Sequence, residues 1–76
     1  MEKQGFKLTD TKNKDIKRYV RGNDHVDFRV NKKDILIGNN KSHDNIKYLT
    51  VFSIEDIKAI LAKANELWAS EQISDN

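Results

Sequence analysis

The chain has no cysteine, no proline and only three glycines among its 76 residues. The lack of cysteine rules out a disulfide framework and every thiolate zinc site, and it fits a reducing compartment. No Gly/Ser-rich linker, fixed-period repeat or low-complexity tract divides the chain. No apolar run approaches the roughly 20 residues that span a bilayer, and Met1 to Leu8 lacks the apolar stretch of a signal peptide. The expected setting is therefore the cytoplasm, with no membrane contact. The absence of proline, together with abundant Lys, Asn and Ile, is the bias that AT-rich codons produce, which points to a low-GC bacterium or one of its phages.

A chain of this length has room for one domain and one core, and it exposes a large share of its surface even when folded. Small folds of this kind are usually stapled, and without cysteine the staple left is a partner or a second copy. Hydrophobic residues make up 37% and charged residues 34%, with a mean hydropathy of −0.80, on the polar side of globular but above a wholly disordered chain. Residues 1–76 are read as a single small domain with an ordered core over about residues 5–70 and a frayed tail at 71–76.

The clearest periodicity is C-terminal. Ile54, Ile57, Ile60, Leu61, Ala64, Leu67 and Trp68 recur at three- and four-residue spacing and form one apolar stripe of a helix running to about Ser70. Ser53 suits the N-cap, Asp56 stands three residues later as a short stand-in for the capping-box glutamate, and Phe52 can staple onto Ile57. At 1.5 Å per residue the helix is roughly 25 Å long, enough to cross a small sheet.

Upstream, His25-Val26-Asp27-Phe28-Arg29-Val30 alternates strictly, as a half-buried strand does. Asn31-Lys32-Lys33-Asp34 supplies turn chemistry, and Ile35-Leu36-Ile37 follows as a short strand ending at Gly38, so the two read as a hairpin. Ile46 to Phe52 is β-branched and aromatic, with Ile46, Tyr48, Thr50 and Phe52 on one side and Leu49 and Val51 on the other, so both faces of this strand want cover. Ile16 to Arg21 is taken as a further strand joined through Gly22-Asn23-Asp24, although Ile16, Tyr19 and Val20 also fit a short helix. Phe6-Lys7-Leu8 reads as an edge strand. The fold class that results is α+β: an antiparallel β-meander of three to five strands with one C-terminal amphipathic helix packed on one face.

Charge is unevenly placed. Residues 1–47 hold 12 Lys/Arg against 7 Asp/Glu, and residues 48–76 hold 2 against 5, so the sheet half is basic and the helix half acidic within a net +2. If Val20, Val26, Phe28 and Val30 face the helix, strand parity sends Lys17, Tyr19, Arg21 and Arg29 to the other face of the sheet. A cationic face with an aromatic on it can pair with phosphates and stack an unpaired base. Lys32 and Lys33 at the hairpin tip would extend it, as in β-ribbon DNA binders. Against this, Asp15, Asp24 and Asp27 interrupt the patch, and a lysine-rich chain shows scattered solvated charge in any case.

Other motifs carry less. Gly38-Asn39-Asn40-Lys41-Ser42 has a Lys-Ser pair after a glycine but lacks the first glycine, the glycine before lysine and the following helix of a phosphate loop. The tripeptide Asn40-Lys41-Ser42 is a chance sequon in a chain with no secretion signal. His25 and His43, near Asp27 and Asp44, are scraps in polar segments and do not make a metal site. The acids sit in turns and on the helix surface, not paired in a cleft, so neither an enzyme nor a cofactor is expected. Trp68, on an unbroken stripe, is read as a core lid in preference to an interface anchor.

Two functions remain. The first is a small nucleic-acid-binding or regulatory module, its DNA or RNA contacts made by Lys17, Tyr19, Arg21, Arg29, Lys32 and Lys33. The second is a protein-interaction module, such as a phage or mobile-element inhibitor of a host protein, or a homodimer using Ile46, Tyr48 and their neighbours as the interface.

Overall fold

The computed structural model describes residues 1–69; the tail expected to fray, 71–76, lies outside the described residues. After a 3₁₀ turn at Glu2–Gln4, four strands follow in order: β1 (Lys7–Thr9), β2 (Ile16–Arg21), β3 (Asp24–Arg29) and β4 (Asp34–Asn39). A single helix, α1 (Ile54–Leu67), closes the described chain. The strands form one antiparallel sheet in the order β1-β2-β3-β4, so the expected meander with one C-terminal helix is what the chain adopts.

Turn chemistry sets the register. Gly22 takes φ 61° at the first position of the two-residue β2–β3 loop, where a II′ hairpin turn places glycine. With only two residues in the loop, Arg21 pairs with Asp24, and every pair below follows: Tyr19 with Val26, Lys17 with Phe28. Paired residues share a face, so Tyr19, Val26 and Phe28 point to the same side. That side carries α1.

The core is small and aromatic. Phe6, Tyr19, Val26, Phe28, Ile60 and Ala64 are buried, with Met1, Ile35, Phe52, Leu67 and Trp68 packed around them. The rings meet edge to face: Tyr19 and Phe28 at 5.7 Å and 87°, Phe6 and Phe52 at 5.8 Å and 83°. Trp68 caps the far end as expected, tilted against Phe28 and donating its indole N–H to the Val30 carbonyl at 3.2 Å.

The helix start is joined to the sheet through a network of hydrogen bonds. Ser53 Oγ accepts the Asp56 N–H at 3.1 Å, and Asp56 Oδ2 accepts the Ser53 N–H at 2.9 Å, a complete capping box with aspartate in the glutamate position. The same carboxylate receives Arg21 Nη1 and Nη2 at 2.9 Å each. Arg21 also donates to the Gln4 carbonyl at 2.9 Å and lies 4.3 Å from the centroid of the Phe6 ring. One arginine at the end of β2 thus ties together the N-terminal turn, the aromatic core and the helix.

The connection 40–52 departs from the sequence expectation. Ile46 to Phe52 has strand composition but joins no sheet; its one bridge is between His43 and Ile46. Residues 42–50 instead line a pocket with Ile37, Gly38 and Asn39 at the end of β4, and the chain goes on from there to Ser53, where Asp56 is held at the end of β2.

The Arg21 guanidinium, followed by the Ser53 amide, holds the Asp56 carboxyl at about 2, below its ordinary value. A depressed carboxyl stabilises the fold above its unfolded value, near 4, and that contribution drains away as pH falls toward 2. Thermal unfolding followed by circular dichroism from pH 5 to pH 2 should show Tm falling most steeply in that window. Arg21→Met should flatten the fall, and an undiminished one would remove Asp56 as its source. At neutral pH, Arg21→Ala should cost about 3 kcal/mol, the lower end for breaking a buried pair since Arg21 keeps some exposure, or roughly 12–24 °C in Tm.

Candidate interaction surfaces

The hairpin register divides the residues expected to bind nucleic acid. Lys17, Tyr19 and Arg21 lie on the helix side of the sheet, while Arg29 lies on the bare side. Tyr19 is only 6% exposed and belongs to the core, so it presents no ring for a base to stack on. Val20, expected in the core, faces outward beside His25. The error in parity is confined to β2. Val26 and Phe28 were placed correctly, and counting back through a two-residue Gly22-Asn23 loop from Val26 leads to Tyr19, not Val20.

All three arginines are committed internally. Besides Arg21 with Asp56, Arg18 forks onto Asp27 at 2.7 and 2.8 Å, and Arg29 forks onto Asp34. Each pair raises the pKa of its arginine, chiefly through the hydrogen bonds to the aspartate. The bare face therefore shows cross-strand ion pairs set among Ile16, Val20 and Leu36, not a field of free cations. Next to them the His25 ring lies over Gly38, where an added Cβ would come within 2.6 Å of Nε2.

Positive charge is instead gathered at one end of the sheet. The Val30 N–H donates to the Asp15 carbonyl at 2.8 Å, which sets the β1–β2 loop beside the β3–β4 turn. This brings Lys12, Lys14 and Lys17 to the same end as Lys32 and Lys33, with Asp10 and Asp15 among them. Lys33 adopts φ 58° at the turn, its N–H donating to the Arg29 carbonyl at 2.8 Å.

Apolar surface is gathered elsewhere. A helix about 10 Å across covers two strands spaced near 4.8 Å, so one helix cannot roof four. On α1 the flank of Ala59, Ala62 and Lys63 shares a groove with Met1 and Lys3, and Lys63 Nζ stands 5.7 Å from the centroid of the Tyr19 ring. At 100° per residue, Ile54, Ile57 and Leu61 form the other flank, toward β4, and all three are exposed. The residues just before the helix continue this surface: Leu49 is 90% exposed, Val51 76% and Ile54 74%. Between Lys47 and Phe52 the one amide bonded to a described residue is that of Tyr48, which donates to Ser42 Oγ at 2.9 Å.

Among the described residues no group of three or more His, Asp or Glu side chains is placed to hold a metal ion, and no helix is long and apolar enough to cross a membrane. Set against known protein families, curated proteins and solved structures, the chain matches none. Function has to be argued from these surfaces.

The two roles considered for β2 residues separate cleanly by mutation. Tyr19→Ala should destabilise the domain by about 3–5 kcal/mol, as removal of a buried aromatic ring does, while Lys17→Glu on the surface should stay within about 0.5 kcal/mol. Urea unfolding measures both, and a mild Tyr19→Ala effect would contradict its place in the core.

Proposed function

We propose that this chain is a protein-interaction module whose contact surface is the aliphatic strip Leu49, Val51, Ile54, Ile57 and Leu61. The observation that carries the reading is the continuity of that strip. Five aliphatic side chains over thirteen residues are exposed on an extended arm and the helix flank that follows it. Single exposed aliphatics are ordinary on any monomer, but a run of them mostly beyond half exposure marks a surface that another molecule covers. The pairing of the arginines supports the same choice, since the residues best suited to phosphate are turned to aspartates inside the molecule. A cytoplasmic setting goes with this reading, since the chain carries no cysteine.

A second reading, a nucleic-acid-binding or regulatory module, is supported by the lysine end of the sheet. In that case Lys12, Lys14, Lys17, Lys32 and Lys33 make backbone contacts, without stacking from Tyr19.

One experiment weighs the two. Tagged chain is used to capture partners from lysate with and without nuclease, beside the variants Leu49→Ser/Ile57→Ser/Leu61→Ser and Lys14→Glu/Lys32→Glu. The first reading expects a protein that survives nuclease and is lost only with the serine variant. Capture that disappears with nuclease or with the lysine variant, and that falls steeply with salt, would overturn it in favour of the second.

A further inference from the structure

The C-terminal end of α1 comes out at the lysine end of the sheet. The Trp68 ring lies 6.3 Å from that of Phe28, and its indole N–H donates to the Val30 carbonyl at 3.2 Å. Lys17 pairs with Phe28 and shares its face, so it stands on the helix side one strand away. Asn31 and Lys32 follow Val30 directly in the next turn. Lys12, Lys14, Lys17 and Lys32 are exposed, and among the described residues none of their ammonium groups forms an ion pair. Asp10 and Asp15 offset only part of this charge. Cations gathered at one end of a small sheet repel one another, and an anion placed among them relieves that repulsion.

The sequence that follows the described residues has the composition of that anion. Ser70-Glu71-Gln72-Ile73-Ser74-Asp75-Asn76 holds two carboxylates and no lysine or arginine. Fully extended, seven residues reach at most about 25 Å and two residues about 7 Å. Chain length therefore keeps Glu71 at the end of the sheet where Trp68 sits. It also lets Asp75 cross that end, which four strands spaced near 4.8 Å make roughly 15 Å wide. The segment has one aliphatic residue, Ile73, against the five of the exposed strip, so its match is by charge and not by burial. Tethering adds to the match, because a short connection holds the carboxylates at an effective concentration in the mM range, where even a weak contact is substantially occupied.

We infer that the acidic segment 70–76 of this chain occupies its own lysine end, with Glu71 and Asp75 set against Lys17, Lys32 and their neighbours. A phosphate-bearing polymer then reaches these lysines only by displacing the segment. This goes beyond the proposed function, which concerns the aliphatic strip, and assigns an occupant to the other surface.

Carbodiimide coupling, which joins a carboxylate to an amine in contact with it, tests the placement on the full chain. Peptide mass spectrometry should find Glu71 or Asp75 joined to Lys12, Lys14, Lys17, Lys32 or Lys33, with the yield falling severalfold at about 0.5 M NaCl. Lys63 and Glu66, 3.3 Å apart, serve as the internal standard. Lys41 gives the background, since the Asn40 N–H before it donates to the Asn23 carbonyl at the opposite end of the sheet. In a mixture of isotope-labelled and unlabelled chains the joined peptides should come from one chain. Tail links no more frequent to the lysine end than to Lys41 while Lys63 couples to Glu66, or links that join two chains, would overturn the inference. Glu71→Gln/Asp75→Asn should also bind a single-stranded oligothymidylate severalfold more tightly than Glu2→Gln/Glu55→Gln, which has the same net charge. Equal affinity in the two variants would overturn the shielding of the lysines.

Discussion

The fork between Arg21 and Asp56 decides where the helix sits, and most of the molecule follows from that placement. Helices of fourteen residues are marginal alone in water, so α1 is stable only where its apolar stripe finds a surface. The stripe by itself fixes no position along or across the sheet. The ion pair does: it anchors the first helical turn at the end of β2, and from there Ile60, Ala64 and Trp68 run back over Tyr19, Val26 and Phe28 toward Val30. Asp56 is suited to this joint because one carboxylate serves three donors. It closes the capping box on the Ser53 amide and receives both arms of the guanidinium, so burying it leaves neither oxygen without a donor.

The same joint explains the exposed strip. Anchoring the helix over the inner strands draws the preceding connection from the end of β4, where residues 42–50 share a pocket with Ile37, Gly38 and Asn39, toward the end of β2. Leu49 and Val51 stay in water on that connection. The unburied apolar surface is thus a consequence of where one carboxylate was placed, not of a generally poor core.

Much of the architecture was legible in the residues because it rests on local signals. The alternation in β3, the turn chemistry after it, the capping box and the helical stripe each point to one element, and each stands where its signal lies. The strand reading of Ile16–Arg21 was also correct. What was not legible depended on relations between elements. Parity in β2 looked ambiguous when judged by hydrophobicity alone, since Val20 and Tyr19 both want burial, and the decision lay in the length of the Gly22-Asn23 loop. The pairing of Arg18, Arg21 and Arg29 with aspartates nine, thirty-five and five residues away could not be read from composition, which counts charges without their partners. A basic half-chain therefore suggested a cationic face that the fold dismantles.

Arginine and lysine divide the work in this chain in a way their chemistry explains. The planar fork of arginine suits a fixed carboxylate, and every arginine here is spent on one, while several lysines stand on loops and at the end of the sheet. Positive charge that holds the fold together is unavailable to a ligand, and positive charge left to solvent sits where it contributes little to the fold. The surfaces that remain for recognition are consequently of two kinds, aliphatic along the arm and helix and cationic at the sheet end. The aliphatic one is the more costly to leave bare, because each exposed Leu, Ile or Val keeps its unfavourable hydration in the free monomer. Marginal stability in a chain of this size makes that cost a large fraction of the whole, and covering the strip is the change that would relieve it.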